Sequence, residues 1–381
     1  MIRKLVMLLL ILVLILAAVP AAFAKSPAAI PNPAPPAINP LTGLPVSDSA
    51  NLALAPALVS ISNFPASSRP QAGLSYAPLV YELYIGEGMT RFLAVFYGDF
   101  PAEATSAGGN QTATDQLAAA AAIGPIRSGR VAYEKIRKLY NGFLVIASGY
   151  QGVLANLSQY TNFYGQAGSN VNGAMIPVTK LEELAKAAGK TLDPASLIGM
   201  NFAAAAPAGG KPASAAWLPF SYKNQVIWRY DSASGAYNRY QDNADAKTFT
   251  QASDRLNNEP LTFENVIVLF ADHERISSTI FDLNIGYIDQ APALLFRDGQ
   301  VYEIFWTTAN GDYEKATGKL RPIRFVDSQG NPFPLKPGQT WVETVTPASN
   351  VYETVDSQNW YDLKTQKQPG SGVWAINFRA P

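Results

Sequence analysis

The sequence contains no cysteine and a single histidine, His273. Without cysteine the chain has no disulfide, no cysteine nucleophile and no thiolate metal ligand, so the fold must depend on packing alone. One histidine excludes a multi-histidine metal centre, and we predict neither a metal nor a cofactor. His273 follows the apolar run NVIVLF, where two interpretations remain open, a solvated loop residue and a catalytic base.

Charge is also scarce, since only 15% of the residues are charged. Basic and acidic residues are equal in number, 29 of each. A balanced chain has no overall field that would draw it to nucleic acid or to an acidic membrane surface. We therefore predict no nucleic-acid partner, and any electrostatic recognition has to be local.

The N-terminus has the pattern of a targeting segment. Arg3 and Lys4 precede an apolar run over residues 5–19, and residues 22–24, AFA, offer the small residues that a signal peptidase reads. We predict a signal peptide over 1–24, with an uncleaved anchor as the alternative. The product is then a secreted or extracytoplasmic, envelope-associated protein that is not a lipoprotein, because it lacks cysteine, and that has no membrane span after cleavage.

The remaining chain is predicted to hold two domains of the α+β class. A proline-rich tether covers 25–40, and an α/β domain with a low-complexity insertion at 102–122 covers 41–205. A linker rich in Ala, Gly and Pro spans 206–214. All six tryptophans lie beyond residue 216 among strand-like runs, so 215–381 is predicted to be a β-rich domain, barrel-like or built on a curved sheet.

Three local patterns predict particular elements. The runs at 79–88 and 91–100 indicate a hairpin or adjacent strands, and RDGQ at 297–300 places Asp-Gly between two strands, a strong hairpin signal. Residues 129–142 have helical spacing and end at Asn141-Gly142, which is typical of a helix C-terminus.

The few charges of the first half are concentrated in two stretches. VYELYIGEGMTRF carries Glu82, Glu87 and Arg91, and IGPIRSGR at 123–130 carries Arg127 and Arg130 between Gly and Pro. Arginines at the turn before a helix, beside its unpaired amides, can form a cradle for a carboxylate or phosphate.

Two alternatives to the cradle remain open. The same arginines can form internal ion pairs with Glu82 and Glu87 and bind no ligand. Alternatively, Glu82 and Glu87 can act as the acid and base of a glycosidase, whose carboxylates face each other across a cleft.

Trp341 is the candidate for an exposed aromatic ring that stacks on a sugar. It begins its strand directly after a Pro-Gly turn, in KPGQTWVETV. The alternative is a place in the core, where most large aromatic residues of strand patterns lie.

Several motifs resemble the YerB-like family of bacterial exported proteins, a family of unknown function. In the first half they are INPLTGLP (38–45), SRPQAGLSYAPLVYELYIGEGMTRFLAVF (68–96) and IGPIRSGR (123–130). In the second half YDSASGAYNRY (230–240), ENVIVLF (264–270) and LKPGQTWVETV (335–345) look like the C-terminal domain of that family.

The resemblance implies a two-domain envelope protein, typically a lipoprotein, with no established chemistry. The lipid-bearing cysteine of the family is absent here. The charged motif of the family falls on seven residues of this chain, which are the predicted ligand-binding set: Arg69, Glu82, Glu87, Arg91, Arg127, Ser128 and Arg130.

We predict a non-catalytic envelope module that binds an anionic or carbohydrate cell-wall component or an exported protein partner. The alternative is a carboxylate-dependent hydrolase of cell-wall polymer that uses Glu82 or Glu87.

Overall fold

The apolar and β-branched runs of the sequence form the strands of two large sheets. The structure is a computed structural model that describes residues 37–101, 121–163, 174–190, 192–245, 247–309 and 311–381. The strands in these residues are β1 Ala57–Ser62, β2 Leu79–Gly86, β3 Met89–Phe96, β4 Ala122–Ile123, β5 Phe143–Ile146, β6 Tyr160–Asn162, β7 Ile176–Pro177, β8 Lys211–Pro212, β9 Ala215–Ser221, β10 Asn224–Asp231, β11 Ala236–Asp242, β12 Phe249–Gln251, β13 Thr262–Phe263, β14 Asn265–Phe270, β15 Asp272–Arg275, β16 Phe281–Asn284, β17 Ala291–Arg297, β18 Gln300–Thr307, β19 Arg324–Val326, β20 Thr340–Val345, β21 Asn350–Glu353 and β22 Val373–Asn377.

Helices are fewer and mostly short. The α-helices of the described residues are α1 Ala132–Tyr140, α2 Gln151–Leu154, α3 Val178–Gly189, α4 Asp312–Thr317 and α5 Trp360–Thr365. Single 3-10 turns cover Ser49–Ala53, Ala66–Ser68, Leu74–Tyr76 and Pro194–Leu197. Among the described residues no helix is long and apolar enough to cross a membrane.

The larger sheet has 11 strands in the order β19-β18-β17-β14-β20-β2-β3-β1-β5-β6, with β8 added beside β18. Strands from the two halves of the chain meet in it at the parallel pair β2–β20. In that pair Val80 lies opposite Trp341 and Glu82 lies opposite Glu343. This contact brings charged residues from distant parts of the sequence side by side.

The smaller sheet has seven strands in the order β12-β11-β10-β9-β22-β21, with β13 paired to β11. One face of each sheet contributes to a shared apolar core, which includes Val59 and Phe92 from the larger sheet and Leu218 and Trp228 from the smaller one. Strand side chains alternate between faces, so the other face of the larger sheet packs elsewhere, against helix α1. The strands near the middle of the larger sheet are thus buried on both sides.

The local predictions agree with these elements. Arg297 pairs with Gln300 across the RDGQ turn, where Asp298 and Gly299 both have positive φ, as a two-residue hairpin turn requires. Strands β2 and β3 form the predicted antiparallel hairpin. Helix α1 ends at Asn141 in the left-handed conformation. These three predictions are confirmed.

The chain combines strands, which predominate, with helices, as the α+β class requires. The predicted division into 41–205 and 215–381 stays a prediction, although strands of both ranges share the larger sheet. The stretch predicted as a linker makes contacts of its own. Pro207 O accepts a hydrogen bond from Tyr302 Oη at 2.9 Å, and β8 pairs with β18.

Three predicted segments lie wholly or largely outside the described residues. They are the signal peptide over 1–24, the tether over 25–40, of which only the end is described, and the insertion at 102–122, whose last two residues alone are described.

Candidate functional site

Three of the predicted arginines lie together between β3 and the start of α1. We call Arg91, Arg127 and Arg130 the arginine cluster. Arg91 is only 6% exposed, whereas Arg127 and Arg130 are half-buried and within reach of solvent. The cluster therefore has one buried member and two that a ligand can approach.

Backbone carbonyl groups hold each guanidinium of the arginine cluster. Arg91 Nη1 donates to Ser128 O at 2.9 Å, and Arg130 Nη1 donates to Gly129 O at 2.9 Å. Arg127 Nη2 donates to Phe64 O at 3.2 Å. The Nε atoms of Arg127 and Arg130 are buried and have no hydrogen-bond partner among the described residues. The side chains are oriented without using all of their donors.

No carboxylate of the described residues forms an ion pair with the arginine cluster. Burial and the neighbouring charges of Arg130 and Arg127 lower the pKa of Arg91 to about 9. Burial likewise lowers the pKa of Arg130, and the charge of Arg127 adds to that effect. All three remain cationic at neutral pH, so the cluster concentrates positive charge that its surroundings do not balance.

The segment before α1 is fixed by main-chain hydrogen bonds to two strands. Arg127 N donates to Ser60 O of β1 at 2.9 Å, and Ala147 N, directly after β5, donates to Arg127 O at 2.9 Å. At the start of the helix Arg130 O accepts from Tyr133 N at 3.1 Å. The backbone of the cluster is thus anchored to the neighbouring strands β1 and β5, which favours a preformed site.

Glu82 lies on the other face of the sheet and is fully buried. Its Oε2 accepts a hydrogen bond from Arg239 Nη2 at 2.8 Å, in an ion pair that joins β2 to β11. Thr90 Oγ1 donates to Glu82 Oε1 at 2.6 Å. Glu82 therefore has its partners in the core, and its predicted internal ion pair with Arg127 or Arg130 is wrong.

The register of the β2–β3 hairpin separates Glu82 from Arg91. Gly86 pairs with Met89, but the next pair is Tyr84 with Thr90, because the ladder is irregular at that point. As a result Arg91 lies opposite Leu83, which packs on the α1 side, and not on the face of Glu82. An uninterrupted ladder would place Arg91 opposite Tyr84, on the same face as Glu82.

A second carboxyl group, that of Glu343, lies beside Glu82 and is also fully buried. Glu343 Oε1 accepts from Trp228 Nε1 at 2.9 Å. Burial, followed by the charge of Glu82, raises the pKa of Glu343 well above its ordinary value. Two buried carboxyl groups thus lie beside a single guanidinium, an arrangement that favours a proton on Glu343.

The guanidinium of Arg239 is surrounded by aromatic rings. Its central carbon lies 4.7 Å from the centroid of the Trp341 ring, 5.1 Å from Phe92 and 5.8 Å from Trp228. Trp341 itself is fully buried. The prediction of an exposed, sugar-stacking Trp341 is wrong, because β20 lies between β14 and β2 in the larger sheet and is covered by the smaller one.

Of the three remaining predicted residues, Ser128 is the one that shares a hydrogen bond with the arginine cluster among the described residues. Glu87 is exposed at the tip of the β2–β3 hairpin with φ of 53° and forms no ion pair with a described residue. Arg69 lies near Arg239, and burial together with the charge of Arg239 lowers its pKa to about 10. Ser128 contributes its carbonyl group to Arg91.

His273 is half-buried on strand β15 and is not a solvated loop residue. Its Nδ1 lies 2.8 Å from Ala271 O, and burial lowers its pKa. The described residues contain no group of three or more His, Asp or Glu side chains that could hold a metal ion.

Arg239 and Glu343 are the residues that the sequence reasoning missed. Each is a charged residue within an aromatic or β-branched strand: Glu343 is the single charge of TWVETV, and Arg239 stands in the middle of AYNRYQD, which ends at Asp242. A charged residue in a buried strand signals a buried partner, but Arg239 and Glu82 are 157 residues apart. The sequence gives no means of pairing them.

Comparison with known proteins gives matches over most of the chain. Residues 41–183 match the N-terminal domain, and residues 216–342 the C-terminal domain, of the family described as "Protein of unknown function (DUF3048)". The curated protein "Putative lipoprotein YerB" of Bacillus subtilis (strain 168) is 25% identical over 340 residues, which cover 83% of this chain and 88% of that protein.

A solved structure has a similar fold. The crystal structure of the YerB protein from Bacillus subtilis matches with a TM-score of 0.61 and 22% sequence identity. The match covers 81% of this chain and 96% of that chain. At this identity the likeness shows the fold alone.

Proposed function

This chain belongs to the DUF3048 family, and on that premise we propose that it is an exported envelope protein that binds an anionic cell-wall component without cleaving it. The observation that carries the proposal is the arginine cluster, whose three cations have no carboxylate partner among the described residues. Guanidinium groups are suited to carboxylate and phosphate because their N–H donors match the geometry of these anions.

The envelope location rests on two supports. The N-terminal pattern predicts export, and the relative from Bacillus subtilis is named as a lipoprotein. The given sequence has no cysteine to carry a lipid. We therefore propose a secreted protein, or one held at the membrane by an uncleaved N-terminal segment, in place of a lipid anchor.

The hydrolase alternative has weaker support. Glu82 is fully buried and ion-paired, and Glu87 is exposed at a hairpin tip. A glycosidase needs both carboxyl groups to face the same substrate across a cleft. The burial of Glu82 weighs against that role.

Co-sedimentation with purified peptidoglycan tests the proposal. The full chain should bind, and Arg127→Gln and Arg130→Gln should each bind at least about tenfold less tightly, because a lost charge-assisted hydrogen bond is worth roughly 1.5–3 kcal/mol. Arg275→Gln is the matched control, since Arg275 is an exposed arginine on β15. It removes one positive charge elsewhere and should bind like the wild type.

The charge of the ligand is tested in the same assay. Binding should weaken as salt is added and should be lost when the free carboxylates of the peptidoglycan are amidated. Binding that survives both treatments, or that is equal in the arginine variants and the wild type, would contradict the proposal. Release of soluble fragments would show a hydrolase instead.

A further inference from the structure

A pocket of about 170 Å³ lies on the smaller sheet, between the turn that joins β9 to β10, helix α5 and the end of β22. The lining side chains that matter below are Trp217, Tyr222, Gln225, Trp360, Lys364 and Asn377. No residue of the arginine cluster lines this pocket. It is therefore a second place at which the chain can bind a ligand.

Aromatic rings that water can reach form one side of the pocket. Tyr222 is 57% exposed, and Trp360 is half-buried. The centroids of the two rings lie 5.1 Å apart, and their planes meet at 83°. We call this pair of rings the aromatic corner, because two rings at nearly a right angle offer apolar contact on two sides of a ligand.

Hydrogen bonds and packing hold the aromatic corner in place. Gln225 Nε2 donates to Tyr222 O at 3.2 Å, and Gln225 Oε1 accepts from Trp217 Nε1 at 2.9 Å. On helix α5, Leu363 is buried in the same apolar cluster as Trp217, and Trp360 packs against that cluster. The turn and the helix are thus both fixed to the sheet, which preorganises the two rings.

Two polar side chains of the pocket are unpaired and open to solvent. Lys364 is exposed and forms no ion pair with a described residue, and its Nζ lies 5.6 Å from the centroid of the Trp360 ring. Asn377 is half-buried, and its side-chain amide forms no hydrogen bond with a described residue and keeps contact with solvent. A ligand in the aromatic corner can therefore reach an ammonium group and an amide.

The size and charge of the pocket restrict the ligand. A cavity of roughly 150 Å³ holds a benzene ring, so a pocket of about 170 Å³ suits a single six-membered ring. A quaternary ammonium ligand, which aromatic cages favour, would be repelled by Lys364. A wholly apolar ring would make no use of Lys364 or Asn377.

A sugar ring has both kinds of surface that the pocket needs. Its C–H faces are apolar and suit the aromatic corner, and its hydroxyl groups can donate to and accept from the amide of Asn377. A carboxylate on the sugar is the matching partner for Lys364. We propose that this pocket binds a pyranose that carries a carboxylate, with the ring in the aromatic corner and the carboxylate on Lys364. The site goes beyond the function proposed for the arginine cluster.

Fluorescence titration of the full chain tests the inference, because Trp217 and Trp360 both line the pocket. Glucuronate should give a saturable change. Glucose lacks the carboxylate and cyclohexanecarboxylate lacks the hydroxyl groups, so each should bind at least about fivefold less tightly. Equal binding of either compound, or no saturable change with glucuronate, would overturn the proposal.

Lys364→Gln tests the partner of the carboxylate. The substitution removes the charge but keeps a polar side chain, so affinity for glucuronate should fall at least about fivefold, whereas affinity for glucose should stay as in the wild type. Lys223→Gln is the matched control, since Lys223 is exposed beside Tyr222 but does not line the pocket. Unchanged affinity for glucuronate in Lys364→Gln, or an equal loss in Lys223→Gln, would overturn the assignment.

Tyr222→Ala tests the aromatic corner. Both glucuronate and glucose should bind at least about fivefold less tightly, because the variant removes a stacking surface. Tyr150→Ala is the control, since Tyr150 is 71% exposed and lies outside the pocket. Unchanged affinity in a folded Tyr222→Ala would overturn the proposal, and should that variant fail to fold, the ranking of the three compounds on the wild type still decides.

The two proposals can fail separately, although glucuronate is an anion and the arginine cluster is cationic. Arg127→Gln should bind glucuronate as the wild type does, because the cluster is not part of the pocket. Loss of glucuronate binding in Arg127→Gln would place the sugar at the arginine cluster and overturn this inference. Loss of peptidoglycan binding in Arg127→Gln concerns the proposed function alone.

Discussion

The positive charges of Arg239 and of the arginine cluster have different partners. Arg239 is 2% exposed, lies 2.8 Å from Glu82 and is surrounded by three aromatic rings. The arginine cluster is bound to main-chain carbonyl groups and has no carboxylate partner among the described residues. Arg239 is paired with a carboxylate in the core, whereas Arg127 and Arg130 have no carboxylate partner near the surface, and the buried Arg91 donates to a main-chain carbonyl group.

The contrast separates a structural role from a binding role. A buried ion pair such as that of Arg239 and Glu82 needs both partners, since removal of one leaves an uncompensated charge in the core, which is strongly destabilising. Half-exposed cations keep part of their hydration and can remain unmatched until an anion arrives. Substitutions should therefore affect stability at Arg239 and binding at the arginine cluster.

The largest effect is expected from Arg239→Gln. The substitution leaves Glu82 buried without its cation and next to Glu343, so the free energy of unfolding should fall by about 3–5 kcal/mol. Urea denaturation measures the change. Arg229→Gln is the control, because Arg229 pairs on the surface with Asp356, whose side chain is 64% exposed, and it should cost only about 0–1 kcal/mol.

A double variant checks the cause of that loss. Arg239→Gln combined with Glu82→Gln should recover part of the stability, because the stranded charge is then absent. If the double variant loses as much as the two single changes added together, the ion pair is not what stabilises this part of the core.

The next largest effect is the contribution of Glu343 to the pH dependence of the free energy of unfolding. Its pKa in the folded state is raised above the ordinary value of 4.5, so the folded protein holds a proton that the unfolded chain releases. The free energy of unfolding should therefore fall as pH rises from 4.5 towards the raised pKa, by up to about 1.4 kcal/mol per pH unit.

Glu343→Gln removes this titration. Denaturation between about pH 5 and about pH 8 should show a flatter dependence and a gain in stability at the upper end. Glu303→Gln is the control, since the side chain of Glu303 is 69% exposed, and it should leave the slope as in the wild type. A slope that is equally steep in Glu343→Gln would assign the proton to another group.

A smaller effect on stability is expected at the arginine cluster. Arg127→Gln breaks one hydrogen bond, to Phe64 O, and strands no carboxylate, so the free energy of unfolding should change by no more than about 1 kcal/mol. Thermal melts beside the peptidoglycan assay test this. A large drop in melting temperature that is recovered by neutralising Glu82 or Glu87 would instead support an internal ion pair of Arg127 with that carboxylate.

The smallest effect, on the association of the two halves of the chain, is expected from proteolytic cleavage between them. We predict that limited proteolysis cuts first within 203–216, where many residues are exposed, and in 102–122. After a cut at 203–216 the fragments should still elute together, because the β2–β20 pairing and the Glu82–Arg239 ion pair join them. Fragments that separate, or protection of both stretches, would contradict this prediction, and Arg239→Gln should weaken the association.

Local chemistry explains what was predicted correctly. The Asp298-Gly299 turn, the β2–β3 hairpin and the end of α1 at Asn141 each depend on residues close in sequence. Trp341 was placed wrongly, because a strand after a Pro-Gly turn looks the same in sequence whether it lies at an edge or in the middle of a sheet. Its neighbours β2 and β14 are far away along the chain.

The sequence by itself determined that Arg127 and Arg130 lie at a turn before a helix, and that Glu82 and Arg91 lie on adjacent strands of a hairpin. Only the tertiary structure decided which of these charges meet. One irregular step in the β2–β3 ladder turns Glu82 and Arg91 to opposite faces of the sheet. Packing of the two sheets then places Glu82 next to Arg239, with which it forms an ion pair, and the arginine cluster has no carboxylate partner among the described residues. These partners depend on strand register and on packing, and both are controlled by residues distant in the sequence.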